Sequence, residues 1–278
     1  MRLEEGFRLH RSGPRILAVA APWEAAALGL GLVERDGLER LLAAGDAGRG
    51  CNAVVPLPGC AERLHLRPVR HGGWLAGVLG DRIAGPGRPL AELAVHARLA
   101  RAGAPVLRPA LVAARRRLPG VWTAALGTVH EEHARNGIEF LGAQPKREDL
   151  LDAAAAAGHG LRQFHDAGGR HPDLHIGNLL FRRDGAVLRA WIIDLDGARI
   201  VRRLSSSRRM REIMRLYRSL VKRRFTDARA SAVTTCFLDA YTGDDADLRR
   251  RLLRWLPREK LRSSLHQLGY HKQERGRC

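Results

Sequence analysis

The sequence predicts an α+β chain of two lobes: a small, mostly antiparallel β lobe with one main helix in residues 1–127, and a larger helical lobe in residues 128–278. Three observations lead to this prediction. The first half carries short, strand-like apolar segments at 63–67, 105–114 and 120–128. The second half is dominated by long segments of helical period. A chain of 278 residues is also long enough to bury two cores of moderate size.

A glycine-rich segment in the first lobe stands just ahead of a β-like run. It contains Gly48, Arg49 and Gly50, and the apolar residues 53–55 follow. Because glycine has no Cβ, a backbone of this kind can approach phosphate oxygens closely. The segment therefore predicts a phosphate-covering hairpin, and an ordinary surface turn is the alternative interpretation. The chain contains no G-x-x-x-x-G-K-[ST] sequence, which argues against a Walker-type ATPase.

The next strand and helix of this lobe carry a cation and a carboxylate. Arg67 ends the alternating strand 63–67, and Glu92 lies in a helical segment at 88–102 that has Pro89 in its first turn. In enzymes that transfer phosphate from ATP, this strand supplies a cation to the α- and β-phosphates, and the helix supplies a Glu that holds the cation. Arg67 and Glu92 are the candidates for these roles. An ordinary surface ion pair, or none, is the alternative.

Three polar residues in the second lobe lie next to apolar runs. Asp173 and Asn178 are five residues apart in a segment that ends in an apolar run, and Asp194 follows a second apolar run at 190–193. The Asp-Gly pair at 184–185 between the two runs is a hairpin signal. Such a hairpin would bring Asn178 and Asp194 side by side.

These side chains are the set that phosphoryl transfer from ATP requires. A carboxylate must orient and deprotonate the attacking hydroxyl, and hard oxygen ligands must hold the Mg²⁺ that bridges the phosphates. Asp173 would take the first role, and Asn178 and Asp194 the second. Hydrogen-bonded loop chemistry explains any one such residue, but the three spacings together favour an active site.

The same positions match the kinase pattern H-R-D, an Asn five residues after the Asp, and D-F-G, with three departures. Pro172 replaces the Arg, Leu195 replaces the Phe, and Asp196 replaces the Gly. Without that Arg, coupling to a phosphorylated activation loop has no obvious partner. A small-molecule or glycolipid kinase is therefore favoured over a regulated protein kinase.

The charge balance is strongly basic, with a formal net charge of +19. Such a chain is attracted to polyanions, including anionic membrane surfaces and substrates that carry phosphates or carboxylates. The segment 208–222 combines dense Arg with apolar residues at helical spacing, so it predicts a basic amphipathic helix that either lies on anionic lipid or forms a solvated face. RNA-recognition motifs with paired aromatic residues are absent, and no nucleic-acid partner is expected.

The four cysteines predict a reducing compartment. Cys51, Cys60, Cys236 and Cys278 form no C-x-x-C pair and have no His partners at zinc spacing. We interpret them as reduced thiols of a cytoplasmic protein. The apolar segment 16–33 is interrupted by Pro22 and Glu24, which argues against a signal peptide or a membrane span. Membrane contact is therefore expected to be peripheral.

These residues together resemble the lipopolysaccharide kinase family, most closely its 3-deoxy-D-manno-octulosonic acid (Kdo) kinases. The glycine-rich loop resembles that of the family, residues 66–73 resemble its L-R-H-Y-R-R-G-G, and the helix that contains residues 91–92 resembles the family's helix. Residues 171–178 are similar to its H-A-D-L-N-A-H-N, and residues 193–196 to its I-D-F-D. The resemblance runs from about residue 45 to about residue 222.

The resemblance implies a protein-kinase-like fold and a peripheral inner-membrane enzyme on the cytoplasmic side. Its substrates would be ATP, with Mg²⁺, and a sugar hydroxyl of Kdo-bearing lipid A or lipopolysaccharide core. Asp173 would be the base, Asn178 and Asp194 the Mg²⁺ ligands, and Arg67 the cation. His175, Gly177 and Leu195 depart from the family pattern.

Two other interpretations stay open. Residues 171–178 equally resemble the H-G-D-L-H-x-G-N of aminoglycoside and choline phosphotransferases, in which His175 and Gly177 fit. The match at 66–73 and the basic charge favour the lipopolysaccharide kinases, because a chain of charge +19 repels cationic aminoglycosides. A basic nucleic-acid- or membrane-binding protein with a degenerate kinase fold would not depend on Asp173.

Overall fold

The computed structural model describes residues 3–44, 52–70, 80–223, 225 and 228–259. Contacts divide the chain into two compact units. The first consists of Met1–Ala102 and Val106–Glu132, and the second of Gly103–Pro105 and His133–Cys278.

The first unit is built on an antiparallel sheet of six strands in the order β1-β2-β5-β6-β4-β3. The strands are β1 (Phe7–Ser12), β2 (Arg15–Ala20), β3 (Ala53–Pro56), β4 (Arg63–Pro68), β5 (Pro109–Leu118) and β6 (Val121–Val129). The strand predicted at 105–114 begins only at Pro109. Pro105 belongs to the second unit, where its carbonyl oxygen accepts a hydrogen bond from the N–H of Ile192. The pair β1–β2 at the sheet edge was not predicted.

Helices cover both faces of this sheet. They are α1 (Glu24–Gly29), α2 (Gly37–Ala44) and α3 (Gly87–Arg101). Since side chains alternate along a strand, Leu17 and Leu64 share an apolar cluster with Leu38 of α2, whereas Val112 and Leu126 pack with Leu93 of α3. The predicted helices at 38–42 and 88–102 are thus observed.

The second unit is mainly helical. Its helices are α4 (Gly137–Gly142), α5 (Arg147–Asp166), α6 (Ser206–Val221), α7 (Ala228–Thr242) and α8 (Ala246–Leu253). Its strands are β7 (Arg135–Asn136), β8 (Gly169–Arg170), β9 (Leu179–Asp184), β10 (Val187–Ile192) and β11 (Arg199–Ile200). They form a three-stranded sheet, β10-β9-β7, and a two-stranded sheet, β11-β8.

The predicted hairpin is the β9–β10 pair. Asp184 lies opposite Val187 across the turn, and Gly185 adopts a φ of 59° that glycine accommodates without strain. The hairpin carries the chain from Asn178, just before β9, to Asp194, just after β10.

Small side chains let α5 and α7 approach closely. A Cβ at Gly158 of α5 would lie 2.5 Å from the carbonyl oxygen of Phe237 in α7. The alanines of α5, among them Ala153, Ala154 and Ala157, leave space, and α5, α6 and α7 line an apolar cavity of about 530 Å³.

In the described ranges no helix has both the length and the apolar character to cross a bilayer. Cys60 and Cys236 are free thiols.

Candidate active site

The loop between β8 and β9 presents Asp173, whose side chain is 77% exposed. Its backbone N–H donates to Nδ1 of His171 at 3.1 Å. The ring of His171 is buried, and its Nε2–H donates to the carbonyl oxygen of Ile193 at 3.2 Å. Because Nδ1 accepts and Nε2 donates, the imidazole is the neutral Nε2–H tautomer. His171 thereby ties the turn at Asp173 to the residue before Asp194.

Asn178 makes a second connection between the same segments. Its Nδ2 donates to the carbonyl oxygen of Asp173 at 2.9 Å, and its own carbonyl oxygen accepts from the N–H of Ile193 at 2.9 Å. Asp194 follows directly, is exposed and has a φ of 58°. The structure therefore brings the Asp194 segment beside Asn178 and connects both to the loop of Asp173.

This arrangement is chemically suited to Mg²⁺. With Nδ2 of Asn178 donating to the backbone, the oxygen of the amide is the atom left to face a cation. Mg²⁺ typically binds one or two protein oxygens and completes its shell with phosphate oxygens and water. Among the described residues, no three His, Cys, Asp or Glu side chains cluster as a metal site. An amide oxygen and one carboxylate, from Asn178 and Asp194, fit the oxygen chemistry of Mg²⁺.

His175 and Gly177, which depart from the expected motif, have a local structural explanation. Nδ1 of His175 accepts from the N–H of Gly177 at 3.1 Å and caps the 3₁₀ turn Ile176–Asn178. Nε2 of His175 lies 4.0 Å from Oδ2 of Asp173. A Cβ at Gly177 would meet Cδ1 of Ile138 at 2.9 Å and the His175 ring at 3.1 Å. The glycine allows this close packing, and His175 lies beside the candidate base.

Helix α6 supports the loop through three side chains on one face. The buried carboxylate of Glu212 accepts from the N–H of His171 at 3.0 Å. Arg215 donates to the carbonyl oxygens of His171 and Pro172, and Oγ of Ser219 accepts from the N–H of Ile176 at 2.8 Å. The residues at 212, 215 and 219 share a helical face because they are three and four positions apart. This helix is the predicted basic helix, and part of its polar face is used inside the protein.

A chain of buried hydrogen bonds continues from Glu212. Oε2 of Glu212 lies 3.3 Å from Nε2 of His165, Nδ1 of His165 lies 2.6 Å from the hydroxyl of Tyr241, and that hydroxyl accepts from Arg209 at 3.3 Å. Burial raises the pKa of Tyr241 to about 12, so its hydroxyl keeps its proton and donates to His165. His165 then donates to Glu212 from Nε2. Each polar group in this series of hydrogen bonds is therefore paired with the next one.

Sequence reasoning did not identify Glu212, Arg215, Ser219, His165 or Tyr241. Their partners are 32 to 76 residues away along the chain, and short motifs do not report such pairings. One signal was present. Glu212 is the single acidic residue between Gly197 and Asp227, in the most basic part of the chain. An isolated acidic residue in such a segment indicates a specific structural role.

Three histidines, of which His165 and His171 are buried and His65 is half-buried, make the stability of the fold depend on pH. Burial lowers the pKa of His65 to about 4, and it also lowers the pKa of His165 and His171. Below about pH 6.5 the unfolded chain protonates these rings while the native state does not, so the unfolded state binds more protons. We expect the free energy of unfolding to decrease as the pH falls from about 6.5 towards about 4, by up to about 1.4 kcal/mol per pH unit for each histidine.

Urea unfolding across this pH range measures the effect. The variant His65→Phe lacks one of the three titrating rings and should show a flatter pH dependence than the wild type. An unfolding free energy that stays constant over this range would contradict the prediction.

In the first unit, the predicted cation and carboxylate meet. Nη2 of Arg67 on β4 lies 2.5 Å from Oε1 of Glu92 on α3, and the carboxylate is buried. Nε2 of His96, one turn further along α3, lies 4.0 Å from the same oxygen. The other predicted residues of this unit, Gly48, Arg49 and Gly50, lie outside the described residues.

Comparison with known proteins places these features in a family. The family model described as "Lipopolysaccharide kinase (Kdo/WaaP) family" matches residues 64–237. A 3-deoxy-D-manno-octulosonic acid kinase of Xanthomonas oryzae pv. oryzae (strain PXO99A) is 35% identical over 191 residues, which are 64% of this chain and 68% of that protein. The kinase of the same name from Xanthomonas campestris pv. campestris (strain B100) is 34% identical over 173 residues, with coverage of 57% and 62%.

Among solved structures, WaaP in complex with acyl carrier protein aligns with a TM-score of 0.50 at 18% identity, covering 91% of this chain and 99% of that chain. The likeness confirms the predicted fold class, an α+β protein-kinase-like fold. The match at 64–237 spans both Arg67 and the loop of Asp173 and covers more than half of the chain. A kinase of this family implies ATP as the phosphate donor. The chain therefore belongs to the lipopolysaccharide kinase (Kdo/WaaP) family and is a phosphotransferase that acts on a sugar hydroxyl in lipopolysaccharide core biosynthesis.

Proposed function

We propose that the sugar is Kdo itself and that the acceptor is Kdo-bearing lipid A or lipopolysaccharide core. The relatives that match most of the chain are 3-deoxy-D-manno-octulosonic acid kinases. The observation that carries the proposal is the exposed carboxylate of Asp173 on a loop whose backbone is held by His171, Asn178 and Glu212. A carboxylate held in this way can meet a hydroxyl of a large glycolipid from solvent.

In this proposal Asp173 is the catalytic base. Its carboxylate accepts the proton of the attacking sugar hydroxyl, and the hydroxyl oxygen forms a bond to the γ-phosphorus of ATP. The bond between that phosphorus and the β,γ-bridging oxygen breaks, and ADP leaves with the bridging oxygen. His175, with Nε2 4.0 Å from Oδ2 of Asp173, lies where it can orient the carboxylate.

Asn178 and Asp194 are the proposed Mg²⁺ ligands. When bound there, Mg²⁺ would neutralise the charge that develops on the phosphates. The protein contributes the geometry: the hydrogen bond from Nδ2 of Asn178 to Asp173 sets the amide orientation, and the backbone bond between Ile193 and Asn178 sets the position of the Asp194 segment.

The nucleotide phosphates are the proposed ligands of the first unit. Arg67 would contact the α- and β-phosphates while Glu92 holds its guanidinium, and Gly48, Arg49 and Gly50 would cover the phosphates. We assign nucleotide binding to an N-terminal lobe of residues 1–127 and the catalytic loop to a C-terminal lobe of residues 128–278.

Phosphate transfer to defined acceptors tests the proposed function. Purified protein with ATP and Mg²⁺ should incorporate phosphate into Kdo-bearing lipid A, and not into lipid A without Kdo. Heptose-bearing core, aminoglycosides and choline serve as alternative acceptors in the same assay. If one of these is phosphorylated and Kdo-bearing lipid A is not, the choice of Kdo is wrong.

We also propose that the protein reaches its acceptor as a peripheral protein on the anionic, cytoplasmic surface of the inner membrane. The supporting surface is the exposed arginines of α8 and the residue after it, Arg249, Arg250, Arg251 and Arg254, beside the exposed Leu253. Each arginine near anionic lipid contributes about 1 kcal/mol to the free energy of membrane binding, and an apolar side chain among them inserts into the lipid.

Vesicle co-sedimentation measures this binding. We expect the protein to bind phosphatidylglycerol vesicles and to be released at about 1 M salt, where the Debye length is about 3 Å. The double variant Arg251→Gln/Arg254→Gln should bind about 30-fold more weakly, because two arginines are lost. Phosphatidylcholine vesicles are the control. Equal binding to both lipids, or unchanged binding by the variant, would argue against this surface.

A further inference from the structure

Two arginines lie directly opposite each other next to the catalytic loop. In the two-stranded sheet of β8 and β11, Arg170 pairs with Arg199, and both side chains are exposed. Side chains at opposed positions of an antiparallel pair have Cβ atoms about 4.5–5.5 Å apart, and like charges there repel. The pairing is therefore unfavourable unless something compensates for it.

No carboxylate of the protein compensates in the described part of the chain. Neither Arg170 nor Arg199 has an Asp or Glu oxygen within 4.0 Å among the described residues, and the same holds for the exposed Arg202 and Arg203 that follow β11. Other arginines of this unit are paired with carboxylates. Arg183, for example, contacts two aspartates at 2.7 and 2.9 Å.

The opposition of the two arginines is fixed by the backbone. The N–H of Val201 donates to the carbonyl oxygen of Gly168 at 2.9 Å, immediately beside the pair. Gly168 has a φ of +80°, and a Cβ there would lie 2.2 Å from the oxygen of Val201. The glycine allows the two strands to approach, so the close approach of like charges is built into the sheet.

The pair is also close to the candidate base. Arg170 precedes Asp173 by three residues, so their Cα atoms are at most about 11 Å apart. An anion held by the arginines would then belong to the same monosaccharide as the reacting hydroxyl, or to its neighbour.

We propose that Arg170 and Arg199 form a binding site for the carboxylate of the acceptor sugar. The inference rests on the proposed function, since Kdo is an acidic sugar. Guanidinium groups bind carboxylates through paired, charge-assisted hydrogen bonds, and two of them facing one carboxylate relieve their mutual repulsion. The site orients the sugar so that a hydroxyl faces Asp173, and it distinguishes acidic from neutral sugars.

Steady-state kinetics with three acceptors test the site: Kdo-bearing lipid A, its carboxyl methyl ester, and the same glycolipid without its lipid A phosphates. We expect Arg170→Gln and Arg199→Gln each to raise the KM for the first acceptor about tenfold, because each removes a hydrogen bond to a charged group. The KM for ATP should not change. The KM for the methyl ester should be high with the wild type and should not change with either substitution. The KM for the dephosphorylated acceptor should still rise with both.

Arg147→Gln is the matched control. Arg147 is exposed, belongs to the same unit and lies at the far end of α5, about 30 Å from the end that leads to Arg170. Its KM values should equal those of the wild type.

The outcomes separate this inference from the proposed function. An unchanged acceptor KM in the double variant Arg170→Gln/Arg199→Gln, together with normal wild-type activity, overturns the site alone. If the two substitutions still raise the KM for the methyl ester but no longer raise the KM for the dephosphorylated acceptor, the carboxylate is not the ligand of the site. A fall in kcat at constant KM overturns a binding role. A wild-type protein that phosphorylates no Kdo acceptor overturns the proposed function instead.

Discussion

Replacing Asp173 by Asn is expected to lower kcat by about a hundredfold to ten-thousandfold, the range that a positioned general base contributes. The amide of Asn cannot accept the proton of the attacking hydroxyl, although it matches the carboxylate in size. The side chain of Asp173 is exposed and its backbone donates the local hydrogen bond to His171, so the fold should be unaffected. Phosphate incorporation under saturating ATP and acceptor measures the loss.

Arg67→Ala provides the contrast for this experiment. It removes the proposed phosphate contact in the other unit and should raise the KM for ATP, whereas Asp173→Asn should leave that KM unchanged. Activity of Asp173→Asn within a few-fold of the wild type would exclude Asp173 as the base.

Replacing Glu212 by Ala is expected to destabilise the protein by about 3 kcal/mol and to reduce kcat strongly. The substitution leaves the N–H of His171 and Nε2 of His165 buried without their acceptor, and each such group costs about 1–3 kcal/mol. The loop of Asp173 would also lose one of its anchors on α6. Urea unfolding gives the change in stability, and kcat measured under conditions in which the variant is fully folded gives the catalytic effect.

Glu212→Gln separates hydrogen bonding from charge. Its amide oxygen can still accept both hydrogen bonds, so the stability loss should be about 1 kcal/mol and kcat should largely return. If Gln and Ala are equally damaging, the negative charge rather than the acceptor matters. If neither changes kcat, Glu212 does not position the loop.

The sequence predicted the parts of the site that depend on short spacings. The Asp-Gly turn identified the β9–β10 hairpin, and the five-residue spacing of Asp173 and Asn178 corresponds to a direct hydrogen bond between them. Arg67 and Glu92, 25 residues apart, were paired correctly because the order of strand and helix constrains their positions.

Features that depend on long-range packing were not predicted. The basic segment at 208–222 was interpreted as a lipid-facing or solvated helix, because charge alone does not show that Arg215 donates to backbone oxygens of the Asp173 loop. The β1–β2 edge of the first sheet was missed although a local signal was present. Ser12 lies opposite Arg15, so the two residues Gly13 and Pro14 form a tight hairpin turn, and Gly13 has a φ of 55°.

If the loop of Asp173 is catalytic, as proposed, its anchoring by α6 affects how the enzyme uses its substrates. Glu212, Arg215 and Ser219 hold the backbone from His171 to Ile176 through hydrogen bonds within the protein itself. Preorganisation of this kind means that little of the affinity for the proposed acceptor is consumed in ordering this loop. More of that affinity can then be used to lower the activation barrier.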